Sequence, residues 1–263
     1  MNSYDCIVSS VHDRGDLLER TLRSMLVQLD QRPARIIVHE DVRPDQPFVA
    51  GRTQALLASI ERDFGRPALL LQTNPGGGLG RAMLRLLRVA DTPWVLYTQE
   101  DFDFVRPTPA GRCLELCAAH DLWHVRFNKR KTMAVKGADR PPESRWTKKE
   151  VQYGGQTFCV SDHWYFQGSL WKRDVALRGF EAVVAAVPEG RKVDFCEVKF
   201  NHWINTTFGG DRPLGCHDGE QERRQELARS FIWGGVAEPA FIQHTGHDRR
   251  SQGWEPRARS RDS

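Results

Sequence analysis

Three carboxylates fall within four residues of this chain, at Glu100, Asp101 and Asp103. They directly follow an apolar run at residues 94–97, which predicts a buried strand. Carboxylates this close repel one another unless a cation lies between them, and Mg²⁺ and Mn²⁺ prefer carboxylate oxygens. We therefore interpret the cluster as a metal site rather than a solvated acidic turn. Asp101 is the first candidate ligand, because it belongs to both spacings that can be read here, 99–101 and 101–103.

Two further groups of the first half carry residue types that could bind a ligand. The glycine-rich residues 74–81, from Asn74 through Gly78 to Arg81, would open a helix whose backbone N–H groups could face a phosphate. They lack the ending of a Walker loop, and Arg81 stands where a dinucleotide fingerprint needs glycine, so a tight turn explains them equally well. Glu40 and Asp41 end a predicted strand, where a carboxylate could accept hydrogen bonds from a base or a ribose.

Two more groups lie in the second half. His244 follows a short apolar run, and a neutral imidazole there could complete the coordination of a metal. Asp194 and Glu197 are three residues apart, so they could share one face of a helix, and one could act as a general base on a hydroxyl. Spacing alone favours a salt bridge with Arg191 or Lys199 instead.

The elements of the first half would bring these groups together. Apolar runs at residues 6–10, 35–39, 68–71 and 94–97 predict four strands, and amphipathic stretches that begin near Leu18, Leu56 and Met83 predict helices between them. Asp13 is the expected N-cap of the first helix. This alternation predicts a mostly parallel sheet with helices on both faces. Ligands of such sheets bind at the carboxyl ends of the strands, which is where the polar groups fall.

The second half is less regular in sequence. Residues 129–150 are rich in lysine, arginine and proline and predict a mobile or partner-ordered loop, and the basic tail at 249–263 predicts disorder. The 263 residues suit one large domain or two closely joined ones. A net charge of +4 is compatible with an anionic ligand such as a nucleotide, but is too small to argue for nucleic-acid binding by itself.

Targeting and redox features are sparse. We expect no signal peptide and no membrane span. The six cysteines contain no CxxC pair, which predicts reduced thiols in a cytoplasmic protein.

Taken in order, these motifs resemble glycosyltransferase family 2 and its relatives with the GT-A fold. Residues 6–28 are similar to that family's opening strand and helix, and Glu40-Asp41 to the acidic pair that holds the nucleoside. Residues 74–81 resemble its asparagine-glycine segment, residues 94–103 the strand that ends in its DxD motif, and residues 244–246 its C-terminal His-x-Gly. The resemblance covers residues 4–104 well and the remainder loosely. It implies a Rossmann-like nucleotide-binding sheet followed by a less regular acceptor half.

The resemblance also implies an activity. The family uses a nucleotide-sugar donor, here a UDP-sugar first of all, with Mn²⁺ or Mg²⁺ on the diphosphate, and an inverting hexosyl- or pentosyltransferase needs one base to activate the acceptor hydroxyl. Residues 1–105 would bind the nucleotide sugar, and residues 106–248 would form the acceptor-binding and catalytic half of the same domain. The implied residues are Val11, His12, Asp13, Arg14, Glu40, Asp41, Asn74, Gly78, Arg81 and Glu100 for the donor; Asp101, Asp103 and His244 for the metal; Trp164 and Gln167 for the acceptor; and Glu197, with Asp194 as second choice, for the base.

The acceptor and two other classes of function stay open. A surface polysaccharide is the family's usual acceptor, but the basic loop and tail would also suit a hydroxymethylated base in DNA, and the protein would then be phage-encoded and act in the host cytoplasm. A nucleotidyltransferase would share the sheet and the acids, but would normally carry its glycine-rich loop after the first strand, where residues 10–15 have one glycine. A non-catalytic sugar-nucleotide-binding module is the third alternative. The oligomeric state is not indicated.

Overall fold

The computed structural model describes residues 2–42, 51–73, 77–128, 150–161, 163–188, 191–193, 196–208, 229–235 and 238–245, except for the side chain of Asp13. Asn74, Asp194, nearly all of the basic loop and the whole basic tail lie outside these residues.

Within the described residues, a nine-stranded sheet forms the centre of the fold. Its strands are β1 Tyr4–Val11, β2 Ile36–Asp41, β3 Ala68–Thr73, β4 Trp94–Gln99, β6 His124–Arg126, β7 Glu150–Tyr153, β8 Gln156–Ser161, β9 Ser169–Lys172 and β10 Ser230–Trp233, and β5 is Phe102–Phe104 and β11 Ile242–His244. The order across the sheet is β3-β2-β1-β4-β9-β6-β10-β8-β7, and β5 and β11 form a separate antiparallel pair, the β5–β11 ribbon.

The strands of the first half, β1 to β4, all run parallel to their neighbours within that half. β9 runs antiparallel to both β4 and β6, and β8 runs antiparallel to β10. The second half therefore continues the same sheet with strands of mixed direction, most of them shorter, as the less regular half was expected to do.

Six helices of the described residues cover the sheet: α1 Gly15–Gln28, α2 Arg52–Phe64, α3 Leu79–Val89, α4 Ala110–His120, α5 Arg173–Ala185 and α6 Cys196–Phe208. Successive side chains of a strand point to opposite faces of the sheet. Cys6 and Val8 of β1 thus face the core formed with α1, α2 and α4, whereas Ile7 faces the core formed with α3, α5 and α6. The predicted α/β class, with helices on both faces, is confirmed. None of the described helices is long and apolar enough to cross a membrane.

One local prediction was wrong. Asp13 does not cap α1, because a short 3-10 helix, His12–Arg14, runs directly into it and Arg14 occupies the N-cap position, with no side-chain capping hydrogen bond. The 3-10 turn therefore precedes α1 directly, and no side chain caps this end. The consequence for the site is that Arg14 lies at the junction of β1 and α1, beside the carboxyl end of the sheet.

Candidate active site

The carboxyl ends of β1, β2 and β4 meet at one edge, because the three strands are parallel and adjacent. The register pairs Ser9 with Gln99 and Val11 with Asp41. The next residue after β4, Glu100, donates its backbone N–H to the carbonyl of Ser9 at 3.3 Å. The polar residues that follow β1 and β4 are therefore neighbours in space.

The acidic turn, residues 100–103, is almost fully buried and is balanced by arginines. Glu100 and Asp101 are 5% and 6% exposed. Arg14 Nη1 donates to Glu100 Oε1 and lies 3.5 Å from Asp101 Oδ2. Asp103 accepts a hydrogen bond from Arg20 Nε on α1 instead. The repulsion expected among the three carboxylates is thus relieved by two protein cations, and Asp101 and Asp103 have different partners.

Glu100 is under the opposing influences of burial and of Arg14. Burial raises the pKa of Glu100 above its usual value, the neighbouring Asp101 raises it further, and Arg14 opposes both effects. The hydroxyl of Thr21 donates to the carbonyl of Glu100 at 2.7 Å, so α1 fixes the backbone of the turn.

The β5–β11 ribbon brings His244 to the acidic turn. The register places His244 opposite Phe102, and the two rings lie 4.9 Å apart. His244 Nε2 is 3.2 Å from Asp101 Oδ2. The backbone N–H and the hydroxyl of Thr245 both donate to the carbonyl of Asp101, at 2.8 and 3.1 Å. Two predicted metal ligands that are far apart in the sequence are therefore in contact.

The segment that leads into β11 is anchored separately. The guanidinium of Arg106 stacks over the ring of Phe241, 3.8 Å from its centroid, and pairs with Glu238. Asn128 makes two further contacts. Its backbone carbonyl accepts a hydrogen bond from the backbone N–H of Phe241 at 2.8 Å, and its side-chain Nδ2 donates to the carbonyl of Glu238 at 3.0 Å. These contacts fix the path of the chain toward His244.

Asp101 and His244 have the chemistry to hold a divalent cation. Asp101 Oδ1 is buried and has no hydrogen-bond partner among the described residues. The described residues contain no group of three or more His, Cys, Asp or Glu side chains arranged around one metal position. Two protein ligands would suit Mg²⁺ or Mn²⁺, which commonly take one or two carboxylates and complete their shell with phosphate and water oxygens. Asp103 is engaged by Arg20, and its role as a ligand stays a prediction.

Of the two predicted nucleoside-binding acids, Asp41 is the more available. Both carboxylate oxygens of Glu40 are occupied, because Thr53 Oγ1 donates to one and Gln72 Nε2 to the other, the latter at 2.7 Å. Asp41 Oδ2 accepts from the backbone N–H of Gly78 at 3.2 Å, whereas its Oδ1 is buried without a hydrogen bond among the described residues. Glu40 therefore joins β2 to α2 and β3, and Asp41 faces the edge of the sheet.

The last residue of β1 and the residue that follows it lie beside Asp41. Val11 pairs with it in the strand register, and His12 Nδ1 lies 3.4 Å from its carbonyl oxygen. Buried His39 lies on the other side, with Nδ1 3.6 Å from Asp41 Oδ1. Burial lowers the pKa of His39, and the charge of Asp41 opposes that effect.

The end of the glycine-rich stretch opens α3 as predicted. Gly78 has a φ of +79°, a conformation that favours glycine, and precedes the first residue of the helix. Arg81 donates from Nη2 and Nε to the carbonyls of Pro188 and Arg191, at 3.2 and 3.3 Å. It thus ties α3 to the segment before α6, and its contact with a diphosphate stays a prediction.

Glu197 lies in the first turn of α6 and reaches the segment next to β4. Its Oε1 accepts from the backbone N–H of Phe166 at 3.3 Å, and Gln99 Nε2 at the end of β4 donates to the carbonyl of Phe166 at 3.1 Å. Glu197 is therefore linked through Phe166 to the strand that carries the acidic turn. Asp194 lies outside the described residues, and the choice between the two acids stays open.

The two predicted acceptor residues are placed differently. Trp164 is fully buried, its ring stacked on His124 with centroids 5.1 Å apart. Asn201 binds its backbone N–H and carbonyl, at 2.7 and 3.0 Å. The ring therefore offers no face to an acceptor in this conformation, because it is part of the core. Gln167 is partly exposed, and its Oε1 has no hydrogen-bond partner among the described residues.

The sequence pattern did not indicate Arg20, Arg106 or Asn201 as residues of the site. Gln99 and Thr245 lie within the predicted motifs at 99–101 and 244–246. Asn201 follows Glu197 by four residues, a spacing that places both on one helix face, so it could have been found. Arg20 is 83 residues away from Asp103, and no local pattern indicates that pair.

By overall fold, the chain is similar to TarS of S. aureus, with a TM-score of 0.51 at 13% sequence identity over 92% of this chain and 36% of TarS. A structure of TarS 1–349 with UDP gives a TM-score of 0.50 at 12% identity over 91% of this chain and 60% of that one. The mannosyltransferase PcManGT from Pyrobaculum calidifontis, solved with GDP-Man and Mn²⁺, gives a TM-score of 0.51 at 12% identity. That comparison covers 88% of this chain and 57% of PcManGT.

The chain thus spans between about a third and three fifths of the length of these proteins. No protein-family model and no curated protein matches the sequence. At this identity the likeness concerns the fold, and the GT-A fold implied by the sequence resemblance is confirmed.

Proposed function

We propose that this protein transfers a sugar from a nucleotide-sugar donor to an acceptor hydroxyl. The observation that carries the proposal is the contact of His244 with Asp101, 3.2 Å between Nε2 and Oδ2, at the carboxyl end of β4. This edge is where open α/β sheets bind their ligands. The fold is shared with a mannosyltransferase that was solved with GDP-Man and Mn²⁺, which supports the same class of donor here.

The donor would lie across the ends of β1 and β2. Asp41, with a buried carboxylate oxygen that has no hydrogen-bond partner among the described residues, would accept from the nucleoside. His12 and Val11 line the same edge, and the backbone of Gly78 opens α3 toward it. We place a UDP-sugar first, because TarS 1–349, which has a similar fold, was solved with UDP.

The leaving group is a nucleoside diphosphate, whose developing negative charge needs a preorganised positive environment. Asp101 and His244 would hold Mn²⁺ or Mg²⁺, which supplies Lewis-acid stabilisation of that charge when bound. Arg14 would add a protein cation beside this position, because its Nη1 lies 3.5 Å from Asp101 Oδ2. Together these residues would bind the diphosphate and orient it for departure.

The acceptor hydroxyl needs one general base for an inverting transfer. Glu197 is favoured for that role by its link through Phe166 to Gln99 at the end of β4. Gln167 follows in the same segment and would contribute to the acceptor site. Asp194 remains the second choice for the base.

Calorimetric titration of UDP and GDP, each with and without Mn²⁺, tests the donor site directly. We expect one nucleoside diphosphate to bind, more tightly with Mn²⁺, and Asp101→Asn to lose the effect of Mn²⁺. Turnover of the matching nucleotide sugar to free sugar and nucleoside diphosphate would separate an enzyme from a binding module. Release of pyrophosphate from a nucleoside triphosphate would instead support a nucleotidyltransferase. Absence of any nucleotide binding would refute the proposal.

The acceptor is proposed in two alternative forms, a surface glycan or a hydroxymethylated base in DNA. A gel shift with duplex DNA at low salt separates them, because binding through phosphate contacts weakens steeply as salt rises. Salt-sensitive binding would support a DNA acceptor. If no DNA binds at low salt, a surface glycan is the remaining proposed acceptor. The basic loop that motivates the DNA alternative falls, from residue 129 to 149, outside the described residues.

A further inference from the structure

The guanidinium of Arg14 contacts the same carboxylates of the acidic turn that a bound cation would neutralise. Its side chain is 15% exposed, and its Nη1 contacts both Glu100 Oε1 and Asp101 Oδ2. Asp101 Oδ2 also faces His244, which leaves Oδ1 as the carboxylate oxygen without a partner among the described residues. The proposed ligand of the divalent cation is therefore already neutralised by an arginine from another element.

A guanidinium and a divalent cation at the same carboxylate would compete. A cation coordinated by Asp101 would lie about 2.1 Å from its oxygen, so its charge would repel the guanidinium of Arg14 at close range. In a nearly buried site this repulsion is screened less than at the surface. Either the cation binds weakly, or Arg14 has to leave.

The turn is held by hydrogen bonds to its backbone, whereas Arg14 contacts it through side-chain atoms. Thr21 fixes the carbonyl of Glu100, and Thr245 fixes that of Asp101 through two hydrogen bonds. Arg14 is attached to the turn by its guanidinium, at the end of a long side chain. A change of partner would therefore move the arginine and leave the carboxylates where a cation needs them.

Arg14 also stands where it can find a second anion. It follows β1 directly, at the edge where the donor diphosphate would bind. The guanidinium fork matches phosphate oxygens as well as carboxylates. We propose that Arg14 is an internal counter-ion, an inference that rests on the proposed function. In the free protein its guanidinium pairs with Glu100 and Asp101, and when the cation binds, the guanidinium moves to the donor diphosphate.

This exchange makes cation and donor binding cooperative. The cation favours the state in which Arg14 has left the turn, and the diphosphate favours the same state because it receives the arginine. Each ligand therefore strengthens the binding of the other by the same factor. Without Arg14, the cation no longer has to displace a guanidinium from Asp101. The contribution of Arg14 to the coupling between cation binding and donor binding is then lost.

The test is Mn²⁺ binding to the full chain, followed by the electron paramagnetic resonance signal of free Mn²⁺, with and without UDP. In the wild type we expect weak Mn²⁺ binding that UDP tightens. In Arg14→Met we expect Mn²⁺ to bind roughly tenfold tighter without UDP, and UDP to add much less, in the usual range of coupling between two sites. Arg23→Met is the matched control, because Arg23 lies on α1, the helix that Arg14 directly precedes, and pairs with Glu19 and Asp63, away from the turn.

Two results would overturn the exchange. One is an Arg14→Met protein that binds Mn²⁺ like the wild type, both with and without UDP. The other is a gain in UDP-free Mn²⁺ affinity in Arg20→Met instead, which would place the cation at Asp103. If UDP and GDP fail to bind the wild type under any condition, the proposed function is refuted as well, so the two failures are distinguishable.

A second variant decides the matter if thermal melting shows that Arg14→Met does not fold. Glu100→Gln keeps the size of the side chain but removes the charge that holds Arg14 on the turn. We expect this variant to bind UDP several-fold more tightly than the wild type in the absence of Mn²⁺, because Arg14 is then released to the diphosphate. Unchanged or weaker UDP binding in Glu100→Gln would overturn the exchange.

Discussion

Replacing His124 with phenylalanine should remove one specific part of the protein's sensitivity to acid. His124 is fully buried and stacked on Trp164, and its Nδ1 lies 2.8 Å from Ser230 Oγ. Burial and, to a smaller extent, the charge of Arg126 lower the pKa of His124 from 6.5 to about 3, against the opposing effect of a hydrogen bond to the carbonyl of Tyr165. The imidazole is therefore neutral in the folded protein throughout the physiological range.

The sign of the effect follows from proton binding. Below about pH 6.5 the unfolded chain binds a proton on His124 that the folded protein excludes, so acid favours unfolding. The stability that His124 contributes is complete above its unfolded pKa and is lost as the pH falls from 6.5 toward about 3. At pH 5 the loss is about 2 kcal/mol, from roughly 1.4 kcal/mol for each pH unit below the unfolded pKa. For a chain of this length that corresponds to about 4 °C in Tm.

Urea unfolding at about pH 7.5 and about pH 5 measures the effect in the wild type and in His124→Phe. The phenyl ring can keep the stacking on Trp164, and Ser230 Oγ still donates to the carbonyl of His163 at 2.7 Å. The change in unfolding free energy between the two pH values is compared between the two proteins. The difference between these changes gives the contribution of His124, because other groups such as His39 are present in both proteins. His202→Gln, at an exposed position on α6, is the control and should behave as the wild type. If His124→Phe loses as much stability in acid as the wild type, the argument from burial is refuted.

Three further substitutions test the packing and the chemistry of the site. Gly80→Ala would place a Cβ 2.6 Å from Val193 Cγ1, so we expect a loss of about 1–3 kcal/mol in urea unfolding; a gain, as helix propensity alone would give, contradicts the packing. Asn201→Ala removes the amide that binds the backbone N–H and carbonyl of Trp164 and should cost about 2–4 kcal/mol of unfolding free energy, whereas a neutral effect would show that water replaces the amide. Glu197→Gln should lower kcat by roughly 10²–10⁴ with the KM for the donor little changed; an unaltered kcat would exclude Glu197 as the base.

Local pattern was enough to predict the first half of the fold. Apolar residues at period two and at helical spacing determine which segments become β1 to β4 and α1 to α3, because each element buries a face that is encoded within its own residues. Parallel neighbours then bring the carboxyl ends of the strands to one edge. Asp101 could be chosen because it follows the strand that pairs with β1 and belongs to both spacings, 99–101 and 101–103.

Hydrogen-bond and packing partners on different strands and helices could not be predicted in the same way. Glu40 and Asp41 are adjacent and chemically equivalent in sequence, yet Thr53 and Gln72 satisfy Glu40 and leave an oxygen of Asp41 without a hydrogen bond among the described residues. Trp164 was expected at the acceptor site because aromatic faces stack on sugars, but packing against α6 buries it.

By itself, then, the sequence determined the strands and helices of the first half and the edge at which their polar residues gather. Only the tertiary structure decided that His244 lies against Asp101, that Arg14 and Arg20 divide the carboxylates of the acidic turn, and that Glu197 is tied to β4 through Phe166. The physical reason is distance along the chain. Each of these contacts joins segments that no periodic pattern relates, and it forms only when the sheet and the β5–β11 ribbon have been assembled.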